Sequence, residues 1–324
     1  MSAGLVVPRP GAARPARRAG RSRSTAPRVT RRAQTRLGLI MVAPLMVLTI
    51  VFFVVPLVSS IYYSLIDYDG ISATPAFVGL GNFIELFSDP EVWHALGNNL
   101  IWIVVGTAAP LILGLAFALL LWTVKRGSRF YRLALFFPYV MPGVAIGITW
   151  GWIYDPIDGW LNVGLRAIGL GGLATGWLGQ PDTALLAVLA TAIWGACGFV
   201  MIIFLSALQN VDQELIDAAR LDRANTLQRI QHIVLPQIMP VFIMVTTVTL
   251  VGGFSVFDII FIMTQAGPAN ASNVLGTYAF TNAFQLNEIS YGTAIALLIT
   301  ALSIPCAVLL NRLQRRLSID GMGS

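Results

Sequence analysis

The side chains that could make or break a bond are few in this chain, and they do not converge. It has two histidines, His94 and His232, two cysteines, Cys197 and Cys306, and a single lysine, Lys125. ATP hydrolysis needs a glycine-rich phosphate cradle ending in Gly-Lys and then Ser or Thr. Lys125 stands in Val124-Lys125-Arg126, so the chain cannot supply that motif. Proteolysis within a membrane needs a base or a pair of aspartates there. Both histidines fall outside the long apolar stretches, and Asp258, the one charged residue set inside such a stretch rather than at its edge, has no acidic partner in it. No catalytic residue and no metal-ligand set is assigned. The chemistry left is that of binding. It is concentrated in the polar, helix-prone stretch NVDQELIDAARLDRANTLQRIQHIVLPQIMP, from Asn210 to Pro240, and around Asp258.

The elements that carry these residues follow from composition. A soluble domain holds roughly a quarter charged residues; this chain is 56% hydrophobic and 11% charged, the balance of a membrane protein. Six apolar stretches, about 38–62, 98–122, 133–154, 184–207, 239–263 and 290–312, are each long enough for a helix across a hydrocarbon core of about 30 Å. They are continuous rather than alternating, so an all-α integral membrane fold is expected, not a barrel. Pro138 and Pro142 predict a kinked or partly unwound third span. Every basic residue except Arg166 lies in residues 1–36, in the 123–132 and 208–238 loops or in the C-terminal tail. The intervening loops carry acids instead. The excess of Arg and Lys therefore places both termini and the 208–238 loop in the cytoplasm. The net charge of +6 reads as topology, and no nucleic-acid partner is expected, since the Arg-rich tail over 1–36 has no aromatics to stack on bases. That tail is expected to be disordered, to touch anionic membrane lipid and not to be a cleaved signal peptide. Cys197 and Cys306 fall within spans and serve packing.

The 208–238 loop reads as two short helices. In the first, Leu215, Ala218, Ala219 and Asp222 share one face, small enough for another protein to approach closely. Asp212 caps it, and Glu214 and Asp217 suit its positive N-terminus. In the second, Leu227, Ile230, Ile233 and Val234 form an apolar stripe expected to lie along the membrane interface, before Pro236 and Pro240 redirect the chain. Near the outer end of the fifth span, Phe254, Phe257 and Asp258 lie with Ser255, Thr264 and Gln265. Aromatic faces that stack on sugar rings, and groups that hydrogen-bond hydroxyls, suit a carbohydrate path. A helix brace is the competing role for Asp258. Trp194 is a further candidate, with helix packing as its alternative.

Asp217-Ala218-Ala219 followed by Ile233-Val234-Leu235-Pro236 resembles the E-A-A…G…I-x-L-P loop of the membrane subunits of binding-protein-dependent ABC importers. Trp194, Gly198-Phe199, Leu208-Gln209, the FDIIFIMTQAGP segment from Phe257 to Pro268, TYAFTNAF and Tyr291-Gly292-Thr293-Ala294 extend the likeness over about 37–315, to the maltose- and glycerol-phosphate-type sugar permeases. The resemblance implies a type I ABC importer permease fold over 37–315 with a cytoplasmic tail at 316–324. It implies a place in the bacterial cytoplasmic membrane, and half of a pathway completed by a second permease, a paralogue. Through a 209–238 loop, Glu214, Leu215, Asp217, Ala218, Ala219, Asp222, Arg223, Ala224, Ile233, Leu235 and Pro236 would meet one of two ATP-binding subunits. ATP and Mg belong to those subunits, no cofactor is implied on this chain, and an extracytoplasmic sugar-binding protein would deliver the substrate. Mono-, di- and oligosaccharides, polyols and glycerol phosphate stay open as substrates. A channel or secondary transporter fits the span count but leaves the loop without a purpose. Two positions depart from the family pattern: Asp217 stands for Glu, and Arg223 stands for a Gly that would permit a left-handed turn.

Overall fold

A computed structural model describes residues 31–72, 74–124 and 126–320, with side chains between positions 38 and 314 of those ranges. The expected tail up to position 30, Lys125 and the last four residues lie outside it. The chain divides into two units, one ending at Val55 and one beginning at Pro56. The first contains α1 (Arg31–Thr49) and a π turn at Ile50–Val54. Helix therefore starts within the stretch expected to be tail. From Leu39 to Val54 its apolar side chains are exposed around the helix, as suits a segment in lipid.

The second unit opens with α2 (Val55–Tyr63), a two-residue hairpin pairing Ile66–Asp67 with Ala76–Phe77, and α3 (Gly81–Ser88). Then come α4 (Pro90–Thr123), α5 (Ser128–Val140), α6 (Gly143–Ile153), α7 (Trp160–Ala167) and α8 (Pro181–Leu208). The loop after α8 carries α9 (Gln213–Leu221) and α10 (Thr226–Arg229); α11 (Leu235–Phe254), α12 (Asp258–Met263), α13 (Leu275–Phe280) and α14 (Ile289–Asp320) follow. Five helical stretches are long and apolar enough to cross a membrane, and six if α5 and α6 count as one broken span. The last helix continues past position 315 to Asp320, so the expected C-terminal tail begins as helix.

Proline shapes three of these spans, in two ways. At the α5–α6 junction the helix bends by 100°. Met141 is extended at φ −70° and ψ 140°, as the residue before Pro142 should be. At Pro56 and Pro236 the helix is not interrupted. A π turn precedes each, Ile50–Val54 and Ile230–Val234, with the amides of Val55 and Leu235 reaching back five residues. The wider turn relieves the clash of the proline ring with the preceding carbonyls. Thr226–Phe254 is thus one helical stretch. The helix expected over 227–234 is part of that stretch: Val234 is buried in the core and Ile233 packs on it, while Leu227 stays 62% exposed, so only the C-terminal half of the apolar stripe faces protein. The fifth span ends earlier than the expected 263. Gly252-Gly253 weakens its end, the helix stops at Phe254, and Ser255–Phe257 breaks the chain before α12.

Helices α4, α8 and α11 share a core of Leu111, Ala118, Met201, Phe204, Val245 and their neighbours. Small residues let backbones approach, the general device for packing helices in lipid. A methyl on Gly114 would stand 2.6 Å from Val200 Cγ1, and one on Gly198 would overlap the Leu135 carbonyl of α5.

A polar clamp holds the segment between α12 and α14 onto α4. Asp89 caps α4 and accepts hydrogen bonds from the hydroxyls of Tyr278 and Tyr291, each at 2.6 Å. Glu91 accepts from Asn273 at 2.8 Å. Asn98 donates to the carbonyls of Ala271 and Asn273, while Asn99 donates to Gly253 and accepts from the amide of Leu275. Burial alone would raise the pKa of Asp89, but the two tyrosine hydroxyls and the amides of Glu91 and Val92 outweigh it and hold the carboxyl below its usual value.

Two outcomes follow. Gly198→Ala should destabilise the purified protein by roughly 1–3 kcal/mol as α5 is pushed off α8, read as a fall in thermal midpoint. Gly97→Ala, whose methyl meets nothing within 4 Å, should be neutral or stabilising. Because the Asp89 pKa is depressed in the folded state, its contribution is present above its unfolded value of about 3.9 and is lost as pH falls through the folded one. Hydrogen-exchange protection of residues 271–278 should hold from neutral pH to about 5 and drop below about 4. The Asp89→Asn protein should show no such drop, and an identical drop there would refute the clamp.

Candidate functional site

Helix α9 has two faces. Ile216 is 5% exposed and joins Leu208, Val211, Val234 and Ile238 in the α4–α8–α11 core. The amide of Asp212 donates to Gln237 Oε1 at 3.0 Å, and Asp212 Oδ1 caps the helix by accepting from Glu214 at 2.8 Å. The other face is bare. Leu215 is 50% exposed and Leu221 86%, with Ala218, Asp217 and Asp222 also exposed and Ala219 half-covered. Asp217 pairs with Arg220 at 2.7 Å, both well exposed, a contact worth at most about 1 kcal/mol.

The α9 C-terminus closes in a Schellman turn: the amide of Ala224 reaches Ala219 O and that of Arg223 reaches Arg220 O. Arg223 takes the left-handed position, at φ 60°. The turn is therefore the one a glycine would make, at a cost of about 1–2 kcal/mol for a side-chain-bearing residue. The Arg223 side chain makes no hydrogen bond or ion pair among the described residues. A capping box follows, with Asn225 and Gln228 each bonding the other's amide at 2.8 Å. Between the end of α9 and α10 lies a cleft of about 390 Å³, bordered by Asp222, Arg223, Ala224, Gln228, Arg229 and His232. Of the other expected coupling residues, Glu214 is exposed in the first turn of α9. Ile233 and Leu235 pack on the span core instead of the bare face, and Pro236 is exposed.

The expected path residues divide into two places. Phe257 occupies the break between α11 and α12, and Asp258 opens α12. Asp258 is thus not inside a continuous span. It is exposed at a helix start, where a negative charge is favoured. Its Oδ2 comes within 3.9 Å of where a methyl on Gly143, the first residue of α6, would stand. The broken third and fifth spans therefore meet at this carboxylate, and the buried Gly147 lets α6 close onto Ile262. Phe257, Phe261, Phe280 and Phe284 form a ladder of rings with centroids 5.0–5.2 Å apart. Phe257, Phe280 and Phe284 line a cavity of about 310 Å³ with Ser60 and Thr293. Phe254 is buried at 7% exposure. Trp194 borders a separate cavity of about 330 Å³ with Phe117, Leu135, Pro138 and Cys197. Its lining offers almost nothing to a hydroxyl, and Trp150 stacks edge-on to Trp194 at 5.5 Å.

Sequence reading missed Ile216, the Asn225–Gln228 box and the ladder beyond Phe257. The box had a local signal, an Asn-x-x-Gln at a helix start. The ladder had none, because Phe280 reaches Phe257 only through the fold.

Residues 110–319 match the family described as "Binding-protein-dependent transport system inner membrane component". The chain is 33% identical over 262 residues to the "Probable ABC transporter permease protein YurN" of Bacillus subtilis (strain 168), covering 80% of this chain and 90% of that one. It is 30% identical over 283 residues to the "Trehalose/maltose transport system permease protein MalF" of Thermococcus litoralis, covering 87% and 95%. Among solved structures, a chain of a bacterial alginate ABC transporter, in complex with an alginate pentasaccharide-bound periplasmic protein, shares its fold at a TM-score of 0.76 and 20% identity, covering 87% of this chain and 95% of that one. With a helix hung between two spans and a fold in common with these permeases, the chain belongs to the family of inner-membrane components of binding-protein-dependent transport systems: it is a multi-pass, non-catalytic permease subunit of an ABC importer.

Proposed function

We propose that this permease forms half of the path by which an ABC importer takes up a neutral sugar. A second permease completes the path, two ATP-binding subunits work it from the cytoplasm, and an extracytoplasmic sugar-binding protein loads it. The observation that carries the sugar reading is the relationship, over nearly the whole chain, to a permease named for trehalose and maltose. The Phe257–Phe284 ladder beside Asp258 supports it, since aromatic faces and a carboxylate suit rings that bear hydroxyls. The bare face of α9 supports the coupling. Leu215, Ala218 and Leu221 are apolar groups that a soluble partner would cover, and the cleft bordered by Asp222 and Arg223 adds charges for orientation. When ATP closes the ATPase pair, a pull on α9 passes through Ile216 to α8 and α11.

The test is uptake by proteoliposomes holding both permeases, the ATPase and the binding protein, assayed with labelled mono-, di- and oligosaccharides. ATP-dependent uptake of a neutral sugar is expected; uptake without ATP or binding protein would sink the reading. Leu215→Ala/Leu221→Ala removes two exposed side chains. It should leave the permease folded while weakening ATPase retention about tenfold or more, seen as loss of the ATPase on size exclusion. Arg223→Gly relaxes the left-handed turn and should raise stability by about 1 kcal/mol. The ATPase should stay bound in that variant, and its loss would show that the turn is not what positions α9.

A further inference from the structure

Where α6 ends, a second group of aromatic and acidic side chains surrounds a space. Thr149, Trp152, Ile153, Asp155, Asp158 and Trp160 line a cleft of about 470 Å³, within the range of small-molecule sites. The two indoles are 76% and 84% exposed, and neither stacks on another aromatic ring among the described residues. Asp155 accepts the amides of Ile157 at 2.9 Å and Asp158 at 2.8 Å through one oxygen, and those amides hold its carboxyl below the usual range. The carboxylate of Asp158 accepts no hydrogen bond among the described residues.

The turn that carries them is fixed. Asn162 is fully buried and donates to the carbonyls of Asp155, Pro156 and Thr175. Its oxygen accepts from the Trp177 indole at 2.8 Å and from the amide of Thr175 at 3.3 Å. Gly159 packs against the backbone of Asp155 so closely that no other residue fits. The Tyr154 hydroxyl donates to Ala187 O at 3.0 Å, tying the turn to α8. Groups so held meet a ligand with little ordering cost.

Two exposed indoles also suit a membrane interface. Here two carboxylates stand beside them, and these repel an anionic lipid surface. The pairing fits a saccharide better: indole faces take the C–H side of a sugar ring, and ionised carboxylates accept from its hydroxyls. The same charges reject a phosphorylated or otherwise acidic sugar. The cleft and Asp258 lie at opposite ends of the 11-residue α6, about 16 Å apart along its axis. We infer that the Trp152–Trp160 cleft is a saccharide site, selective for neutral sugars, at the far end of α6 from the Asp258 path. This rests on the reading of the chain as a sugar permease.

The test uses the complete transporter in nanodiscs, without binding protein, in equilibrium dialysis against labelled maltose, trehalose and glucose 6-phosphate. Saturable binding of a neutral sugar and exclusion of the phosphate are expected. Trp152→Ala/Trp160→Ala should weaken that binding about tenfold or more, whereas Trp152→Tyr/Trp160→Tyr should stay within about threefold. Asp158→Asn should admit the phosphorylated sugar more readily. Unchanged affinity in the double-alanine transporter, with ATP-driven sugar uptake intact, overturns the cleft and leaves the permease reading standing. A wild-type transporter that takes up no neutral sugar at all overturns that reading, and the cleft with it.

Discussion

The structure on the cytoplasmic side depends on the burial of one side chain, Ile216. A nine-residue helix is unstable alone in water, and α9 has a single fully covered apolar residue. Burying an isoleucine is worth about 1.5–3 kcal/mol, so this contact, with the Asp212 cap, both holds the helix in shape and fixes it to Val234 and Ile238. The bare face follows from the same geometry. With Ile216 turned inward, Leu215 and Ala218 are turned outward by the helical period. A load applied to them has its stiffest route into the membrane through the α8–α11 core.

A second constraint comes from the solvent. In hydrocarbon every backbone amide needs a partner, yet the third and fifth spans are both broken. The breaks are placed where protein covers them. Asn99 takes the carbonyl of Gly253 and the amide of Leu275 on either side of the α11–α12 break, and α6 folds back onto α12 through Gly147. Asn98 and Asn99 are 7% and 1% exposed, and each bonds backbone that would otherwise lack a partner. The freedom that a path through the membrane needs is thereby confined to a few residues, while the clamp on α4 keeps the flanking elements fixed.

Sequence alone made the spans legible because bilayer thickness sets their length and because basic residues mark one side. The break at Pro138 and Pro142 was legible as well, and what could not be read was that the helix runs on through Pro236. Pro236 and Pro142 look alike in sequence, but a π turn carries the helix through the first and a 100° bend answers the second. Around Pro236, Val234 and Ile238 are packed into the α4–α8–α11 core. Of the apolar stripe over 227–234, Ile233 and Val234 are covered by the core and Leu227 is left exposed, because periodicity gives a face without saying what covers it.

The same limit explains the candidate path. Sequence put Phe254, Phe257, Asp258 and Trp194 on apolar helices and could not separate them. In the fold they face different solvents. Phe254 is core, Trp194 meets an almost wholly apolar cavity, and Phe257 and Asp258 sit at the break between α11 and α12, with Phe257 in a row of rings. A sugar needs both aromatic faces and acceptors within reach of one another. Of the expected residues only Phe257 and Asp258 offer the two together. A carboxylate at a helix start is also a charge the fold can tolerate near lipid, because the helix dipole and the neighbouring start of α6 favour it. The break in the fifth span thus makes the acid tolerable and leaves it exposed.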